Sequence, residues 1–162
     1  MKLILVTHAQ SNRDIGLMDK SESLSEIGCI EARQLAFALK PLKIDHVYCS
    51  TAERCEQTMD AFLGEKPEEN ISVVFSRFLG PKTTKESLVK LEGRVKVFLD
   101  ELTYDHKEEE VLLVVTHRLV AAMINFVLTA EHVPIEQASI SIFEIDGESK
   151  KLIKINDTEH LK

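Results

Sequence analysis

The sequence has few cysteines and no long apolar run. The three cysteines are odd in number and form no Cys-x-x-Cys pair, which argues against a disulfide framework and against a zinc site, so no metal ion is expected. No segment approaches the length of a membrane span. The apolar run that opens the chain is too short for a signal peptide, because polar residues follow from His8 onward. We therefore expect a cytoplasmic protein without membrane association.

Glycine is also scarce, with six residues in 162. Neither Gly-x-Gly-x-x-Gly nor a P-loop pattern follows any apolar run, which argues against a nucleotide-binding module. The formal net charge is −7 and the acidic residues are scattered, so a general nucleic-acid surface is not expected. An anionic ligand would need a local basic pocket, because the overall field of the protein would repel it.

The remaining composition is that of an ordinary globular protein. Hydrophobic residues make up 44% and charged residues 29% of the chain. The length fits one domain with a well-buried core, and we find no repeat, low-complexity tract or linker. We therefore expect a single domain over residues 1–162.

Short apolar runs alternate with helical patterns along most of the chain. The runs predict strands that are buried on both faces of a parallel sheet, and the alternation predicts an α/β fold, with a mostly parallel sheet covered by helices on both faces. Near the C-terminus, two alternating segments around Asp146-Gly147 predict a β-hairpin at the sheet edge. The predicted strands are 3–6, 46–49, 71–75, 111–115, 139–145 and 151–155; the predicted helices are 25–40, 52–63, 84–102 and 119–128.

Three candidate functional residues follow predicted parallel strands. In an open α/β sheet, ligands bind beyond the carboxyl ends of the strands, so His8, Arg54 and His117 should converge at one edge. A neutral imidazole can attack phosphorus as a nucleophile. A second histidine, cationic near neutral pH, can hold phosphate oxygens, and a guanidinium supplies a planar fork of donors.

Each of these residues taken alone has a simpler interpretation. A single histidine at a strand end is more often a hydrogen-bonded structural residue than a catalyst, and Arg54 alone is most simply a solvated helix residue. Their matching positions after three strands strengthen the functional interpretation. On the residues alone, the two interpretations are evenly balanced.

Four segments in order carry a family resemblance. They are Thr7-His8-Ala9-Gln10-Ser11-Asn12; Leu24-Ser25-Glu26-Ile27-Gly28 with Glu31, Ala32 and Leu35; Ser50 to Thr58 around Arg54; and Thr116-His117-Arg118. Together with the strands before them they span residues 3–128, about three-quarters of the chain. This set resembles the histidine phosphatase (phosphoglycerate-mutase-like) superfamily. The chain is similar to its short phosphatase-type branch, because the long insertions of the sugar-phosphate mutases are missing.

The resemblance implies a role for each matching residue. His8 corresponds to the nucleophile that is phosphorylated, and His117 to the second histidine of the pocket. Arg54 corresponds to the phosphate clamp, and Asn12 to a residue that can donate to a phosphate oxygen. The phosphohistidine chemistry that the resemblance implies needs no metal ion and no organic cofactor.

The sequence also departs from the family pattern. Thr7 stands in place of the first pocket arginine, Ala9 in place of a glycine, and Arg118 in place of the glycine after the second histidine. Residues 75–82, where the family usually has its general acid, contain no carboxylate, and nothing in the spacing assigns a role to the nearest one, Glu86. Loss of one charged donor typically costs about 2–4 kcal/mol of transition-state stabilisation.

Two functional hypotheses follow. The first is a phosphatase, with reduced or altered activity, that hydrolyses a small phosphomonoester or a phosphoprotein through phospho-His8; Thr7 and Arg118 are then possible pocket residues. The alternative is a catalytically inactive relative that binds a phosphorylated ligand or a protein partner. The sequence leaves the substrate, the general acid and the oligomeric state open.

Overall fold

In the part of the chain that the structure describes, six strands and four helices follow one another in the order that the apolar pattern predicts. The computed structural model describes residues 1–17 and 22–162. The strands are β1 (Lys2–Thr7), β2 (His46–Ser50), β3 (Ser72–Ser76), β4 (Val111–Thr116), β5 (Ile140–Asp146) and β6 (Ser149–Asp157). The helices are α1 (Glu26–Leu39), α2 (Glu53–Gly64), α3 (Leu88–Asp105) and α4 (Arg118–Thr129), with short 3₁₀ helices at Arg77–Leu79 and Glu159–Leu161.

The strands form one sheet in the order β3-β2-β4-β1-β5-β6. The first four strands in that order are parallel, and β5 and β6 are added as an antiparallel hairpin beside β1. Gly147 turns this hairpin with a φ of 58°, a backbone conformation that glycine adopts without strain. The predicted α/β class, the mostly parallel sheet and the hairpin at its edge are confirmed.

Helices cover both faces of the central sheet. Along β1, Leu3 and Leu5 point into the core beneath α3 and α4, while Ile4 and Val6 point into the core beneath α1 and α2. Because both faces are covered, the four residues from Leu3 to Val6 are all apolar, which explains the continuous run that the sequence shows. Complete burial of one such side chain contributes about 1.5–3 kcal/mol.

The third strand differs from the prediction. The run 71–75 was expected to be a strand buried on both faces, yet Val73, Val74 and Phe75 are 36%, 42% and 48% exposed. The prediction of burial is wrong because β3 lies at the open edge of the sheet, with β2 as its single neighbour. Apolar composition specifies a strand but not its place in the strand order.

The helix boundaries follow from capping residues. Ser25 is the N-cap of α1, and its hydroxyl accepts the backbone N–H of Gly28 at 3.0 Å. Helix α3 begins at Leu88 rather than at the predicted Thr84, because the hydroxyl of Ser87 accepts the backbone N–H of Lys90. Within the described residues, no helix is both long and apolar enough to cross a bilayer.

Candidate active site

The structure brings three of the sequence-predicted residues together at the carboxyl ends of neighbouring strands. His8 follows β1 and His117 follows β4, and their ring centroids lie 5.1 Å apart in an edge-to-face arrangement. Arg54, on the first turn of α2, places its Nη2 3.4 Å from Nδ1 of His117. All three side chains are buried. The pocket thus combines two imidazoles and one guanidinium within reach of a single small anion.

The hydrogen bonds of His8 determine which of its nitrogens carries the proton. Nδ1 lies 2.7 Å from the carbonyl oxygen of Ala9, and because a carbonyl can only accept, Nδ1 donates. Nε2 then keeps its lone pair. Burial lowers the pKa of His8, and the charges of Arg54 and Arg118 lower it further, against the raising effect of the Ala9 hydrogen bond. At neutral pH the residue therefore presents an uncharged ring with Nε2 available as a nucleophile.

His117 is held in the opposite tautomer. A guanidinium has no acceptor, so Nδ1 of His117 accepts from Arg54, and Nε2 donates to Oγ of Ser50 at 2.9 Å. Burial, then the neighbouring His8 and Arg54, lower the pKa of His117 to about 2. The expectation of a cationic second histidine near neutral pH is therefore wrong for the free pocket, because desolvation and the positive charge of Arg54 disfavour the protonated form of His117.

Arg54 has a carboxylate partner that no sequence pattern predicts. Its Nη1 lies 3.8 Å from Oε2 of Glu22, whose side chain is 59% exposed. The guanidinium itself is buried beside His117. The exposed carboxylate therefore neutralises part of the charge that an incoming anion would use.

A second charged pair, Asp14 and Arg118, lies near His8. Oδ1 of Asp14 is 3.8 Å from Nη2 of Arg118, a side chain that is half exposed. Burial would raise the pKa of Asp14, but hydrogen bonds from the backbone and hydroxyl of Ser11 hold it below its ordinary value. Asp14 raises the pKa of His8 and Arg118 lowers it. The two residues therefore set the charge close to the proposed nucleophile.

Two other sequence-predicted residues form hydrogen bonds to the backbone, and Oγ1 of Thr7 also lies 3.3 Å from Oγ of Ser139. Nδ2 of Asn12 donates to the carbonyl oxygen of Leu24 at 3.3 Å. The hydroxyl of Thr7 donates to the carbonyl oxygen of Glu136 at 2.6 Å and accepts the backbone N–H of Ser139 at 3.1 Å. Thr7 thus joins the end of β1 to the segment before β5, in place of any hydrogen bond to the two histidines.

The loop after His8 is fixed against the start of α1. The backbone N–H of Ser25 donates to the carbonyl oxygen of Gln10 at 3.0 Å, and its hydroxyl lies 2.8 Å from Oε1 of the same residue. A Cβ at Gly28 would lie 1.9 Å from that carbonyl oxygen. Only glycine lets the helix approach so closely, so Gly28 supports the position of the loop that follows His8.

Ala9, which stands in place of a family glycine, and two residues of α2 near the pocket are packed in the interior. Ala9 is fully buried, and its backbone N–H donates to Oγ1 of Thr58 at 3.1 Å. Cys55 and Met59 belong to the core under α1 and α2. The Sγ of Cys55 is 3.6 Å from Nε2 of His117, but burial raises the pKa of this thiol to about 12, so it is not a nucleophile at neutral pH.

Glu86, the carboxylate nearest to the stretch expected to hold a general acid, is paired with Arg94. Both carboxylate oxygens accept from the guanidinium, at 2.7 and 2.9 Å, and these hydrogen bonds hold the pKa of Glu86 below its ordinary value. Arg94 also donates to the carbonyl oxygen of Phe78. Arg77 is exposed on the preceding 3₁₀ helix. Glu86 is therefore ionised at neutral pH and serves as a structural ion-pair partner.

Comparison with known sequences matches the order of these elements. The family model of the histidine phosphatase superfamily (branch 1) matches residues 3–76 and 68–158. The chain belongs to the histidine phosphatase superfamily. The match includes the strands that precede His8, Arg54 and His117 and extends through the C-terminal hairpin.

Individual proteins share sequence or fold with this chain. A probable phosphatase of Schizosaccharomyces pombe is 38% identical over 71 residues, which are 42% of this chain and 34% of that protein, so the match spans about a third of the relative's length. A phosphoglycerate mutase from Bacillus anthracis has the same fold, with a TM-score of 0.85 at 15% identity over 99% of this chain and 95% of the other. Phosphoserine phosphatase from Entamoeba histolytica, solved with phosphoserine, has a TM-score of 0.76 at 17% identity, over 99% of both chains.

Proposed function

We propose that this member of the histidine phosphatase superfamily hydrolyses a phosphomonoester, carried by a small molecule or a protein, through a phosphohistidine at Nε2 of His8. The observation that carries the proposal is that His8 and His117 are held in opposite tautomers. The Ala9 carbonyl leaves the lone pair of Nε2 free on His8, and Arg54 leaves the other histidine of the pocket uncharged. The nucleophile is therefore ready without the removal of a proton.

The reaction consists of two displacements at phosphorus. In the first, Nε2 of His8 bonds to phosphorus as the bond to the leaving oxygen breaks, and that oxygen takes a proton from solvent. In the second, water attacks phosphorus and returns a proton to solvent, the P–N bond breaks, and the release of inorganic phosphate restores the lone pair of Nε2. Arg54 donates to the oxygens of the transferring group in both steps and stabilises the charge that they carry.

His117 changes its charge when the substrate binds. In the free pocket its pKa is about 2, but a phosphate dianion beside it favours the imidazolium. Once Arg54 donates to phosphate oxygens it no longer donates to Nδ1 of His117, and that nitrogen can take a proton. The protonated ring then donates to a phosphate oxygen while Nε2–H keeps its bond to Ser50. Binding of the anion thus creates the second cation of the pocket.

The need to protonate the leaving oxygen restricts which substrates can react. Asp14 and Glu86 have pKa values below their ordinary range and are ionised at neutral pH, so neither is suited to donate a proton. Esters whose leaving group is already stable as an anion should therefore react fastest. The single guanidinium of the pocket and its partner Glu22 favour a second candidate, a relative that binds a phosphorylated ligand without turnover.

The experiment is hydrolysis of p-nitrophenyl phosphate by the wild type, by His8→Ala and by His132→Ala, whose histidine is exposed on another part of the surface. Turnover by the wild type and His132→Ala, abolished in His8→Ala and inhibited by vanadate, supports the phosphatase. Phosphate binding without turnover, lost in Arg54→Ala, supports the binding protein. Full turnover by His8→Ala would contradict both proposals.

A further inference from the structure

A second cluster of histidines lies at the amino ends of the parallel strands, opposite the proposed catalytic pocket. His46 begins β2, His106 follows α3, and Glu110 precedes β4. In the part of the chain that the structure describes, these three form the group of histidine, cysteine and carboxylate side chains whose potential metal-ligating atoms all lie within 4.8 Å of one another. The proposed catalytic pocket lies at the carboxyl ends of the same strands. The length of β2 separates the two ends by roughly 13 Å.

The ring nitrogens of this cluster are already directed as a metal site requires. Nε2 of His46 lies 3.6 Å from Oε2 of Glu110, and Nδ1 of His106 lies 2.5 Å from the same oxygen. The other nitrogen of each ring meets a hydroxyl: Nδ1 of His46 is 2.5 Å from Oγ of Ser72, and Nε2 of His106 is 2.6 Å from the hydroxyl of Tyr48. A histidine that binds a metal commonly donates its remaining N–H to such an oxygen.

We propose that His46, His106 and Glu110 bind a zinc ion. Two imidazoles and one carboxylate form a ligand set that suits Zn²⁺, with a fourth position left for water. Tetrahedral ligands at zinc lie about 3.3 Å apart, so the ion would take the place of the close contact between His106 and Glu110 and separate these two side chains slightly. Hard cations such as Mg²⁺ prefer oxygen ligands and should not occupy the site.

The surroundings allow an ion to enter and give it a structural effect. The side chains of His46 and Glu110 are 29% and 25% exposed, so the site opens to solvent, while His106 is 7% exposed and fixes its inner side. The ligands come from β2, the end of α3 and the segment before β4. A bound zinc ion would therefore connect three elements. The chemistry proposed at His8 needs no metal, so the ion would stabilise the fold without entering that reaction.

The test is calorimetric titration of ZnCl2 into the wild type after dialysis against a chelator. We expect one zinc ion per chain, and an affinity at least about tenfold lower in His46→Ala and in Glu110→Gln. Tyr48→Phe removes no ligand but leaves the outer nitrogen of His106 without its hydroxyl, and should weaken binding by about tenfold. His132→Ala and His8→Ala serve as controls and should bind zinc as the wild type does.

Thermal denaturation provides an independent measurement. ZnCl2 should raise the melting temperature of the wild type, and MgCl2 should not. If His46→Ala does not fold by circular dichroism, Glu110→Gln decides the outcome, because it keeps the size of the side chain. Absence of saturable zinc binding, unchanged affinity in both ligand variants, loss of binding in His8→Ala, or equal stabilisation by MgCl2 would each overturn the proposal.

Discussion

Nη2 of Arg54 donates to Nδ1 of His117 at 3.4 Å, so the guanidinium occupies the lone pair of this imidazole and helps to keep the ring neutral. With burial and His8, this contact explains a pKa of about 2 for a side chain whose ordinary value is 6.5. The resting pocket therefore holds a charged guanidinium beside two uncharged imidazoles that contact each other. The positive charge of the pocket should rise when an anion enters. The first prediction below tests the neutral resting state of His117, and the second tests the rise in charge.

The stability of the protein should depend on His117 at mildly acidic pH. Between its folded pKa of about 2 and its unfolded value of 6.5, the unfolded chain binds a proton at this residue and the folded protein does not. Its contribution is thus fully present above about pH 6.5 and is lost as the pH falls, approaching about 1.4 kcal/mol per pH unit. Urea denaturation of the wild type and His117→Asn, from about pH 7.5 down to 5, should show a steeper fall in the free energy of unfolding for the wild type. Parallel curves would contradict a neutral buried His117.

Binding of sulfate should weaken as the pH rises. Sulfate stays a dianion throughout the neutral range, so a change in its affinity with pH reports the protonation of the imidazoles beside it. The affinity should fall by up to about tenfold per pH unit for each proton taken up. Calorimetry in buffers of different ionisation enthalpy should detect proton uptake. Arg54→Ala should bind more weakly at every pH, and an affinity independent of pH, without proton uptake, would be incompatible with the proposed change in charge.

Glu22→Gln should strengthen anion binding. The Glu22 carboxylate, 3.8 Å from Nη1 of Arg54, competes with an incoming phosphate for the guanidinium. Because exposed ion pairs contribute little, the gain should be roughly 1.5- to fivefold in phosphate affinity. Glu159→Gln provides a matched control, since Glu159 is an exposed ion-pair partner of Lys162. A gain of the same size in both variants would show that only the net charge matters.

Gly28→Ala should destabilise the protein and lower any activity that depends on His8. The added methyl would overlap the carbonyl oxygen of Gln10, and relief requires movement of the loop after His8, at a cost of about 1–3 kcal/mol. Gly93→Ala is the control, because a Cβ at this exposed position of α3 meets nothing within 4 Å. It should stabilise the helix by about 0.5–1 kcal/mol. Urea denaturation of both variants tests the contrast; equal effects would contradict it.

The fold was predictable where the apolar pattern alone determines it. Continuous apolar runs such as Leu3–Val6 specify strands covered on both faces, and Ser25 marks the start of α1. The exposure of Phe75 was not predictable, because its run has the same composition as the central strands. Strand order arises from how distant segments pair, and a local pattern contains no information about it.

The site was predictable only where residues follow strands. His8 and His117 stand directly after apolar runs, which signals their place at the sheet edge. Asp14 and Glu22 lie in the connection after β1, where no periodicity fixes a position. The cluster of His46 and Glu110 was missed for a similar reason, since its members are 64 positions apart and meet only through the pairing of β2 with β4. The neutral state of His117 depends on burial, which a sequence motif does not report.

The most direct test of the phosphatase proposal is capture of the phosphorylated protein. The wild type is mixed with radiolabelled p-nitrophenyl phosphate, quenched in alkali during turnover, digested and mapped. We expect a label that is stable in alkali, labile in acid and confined to the peptide that contains His8, absent from His8→Ala and retained in His132→Ala. Sustained hydrolysis with no label on His8, or with the label on another residue, would contradict the account.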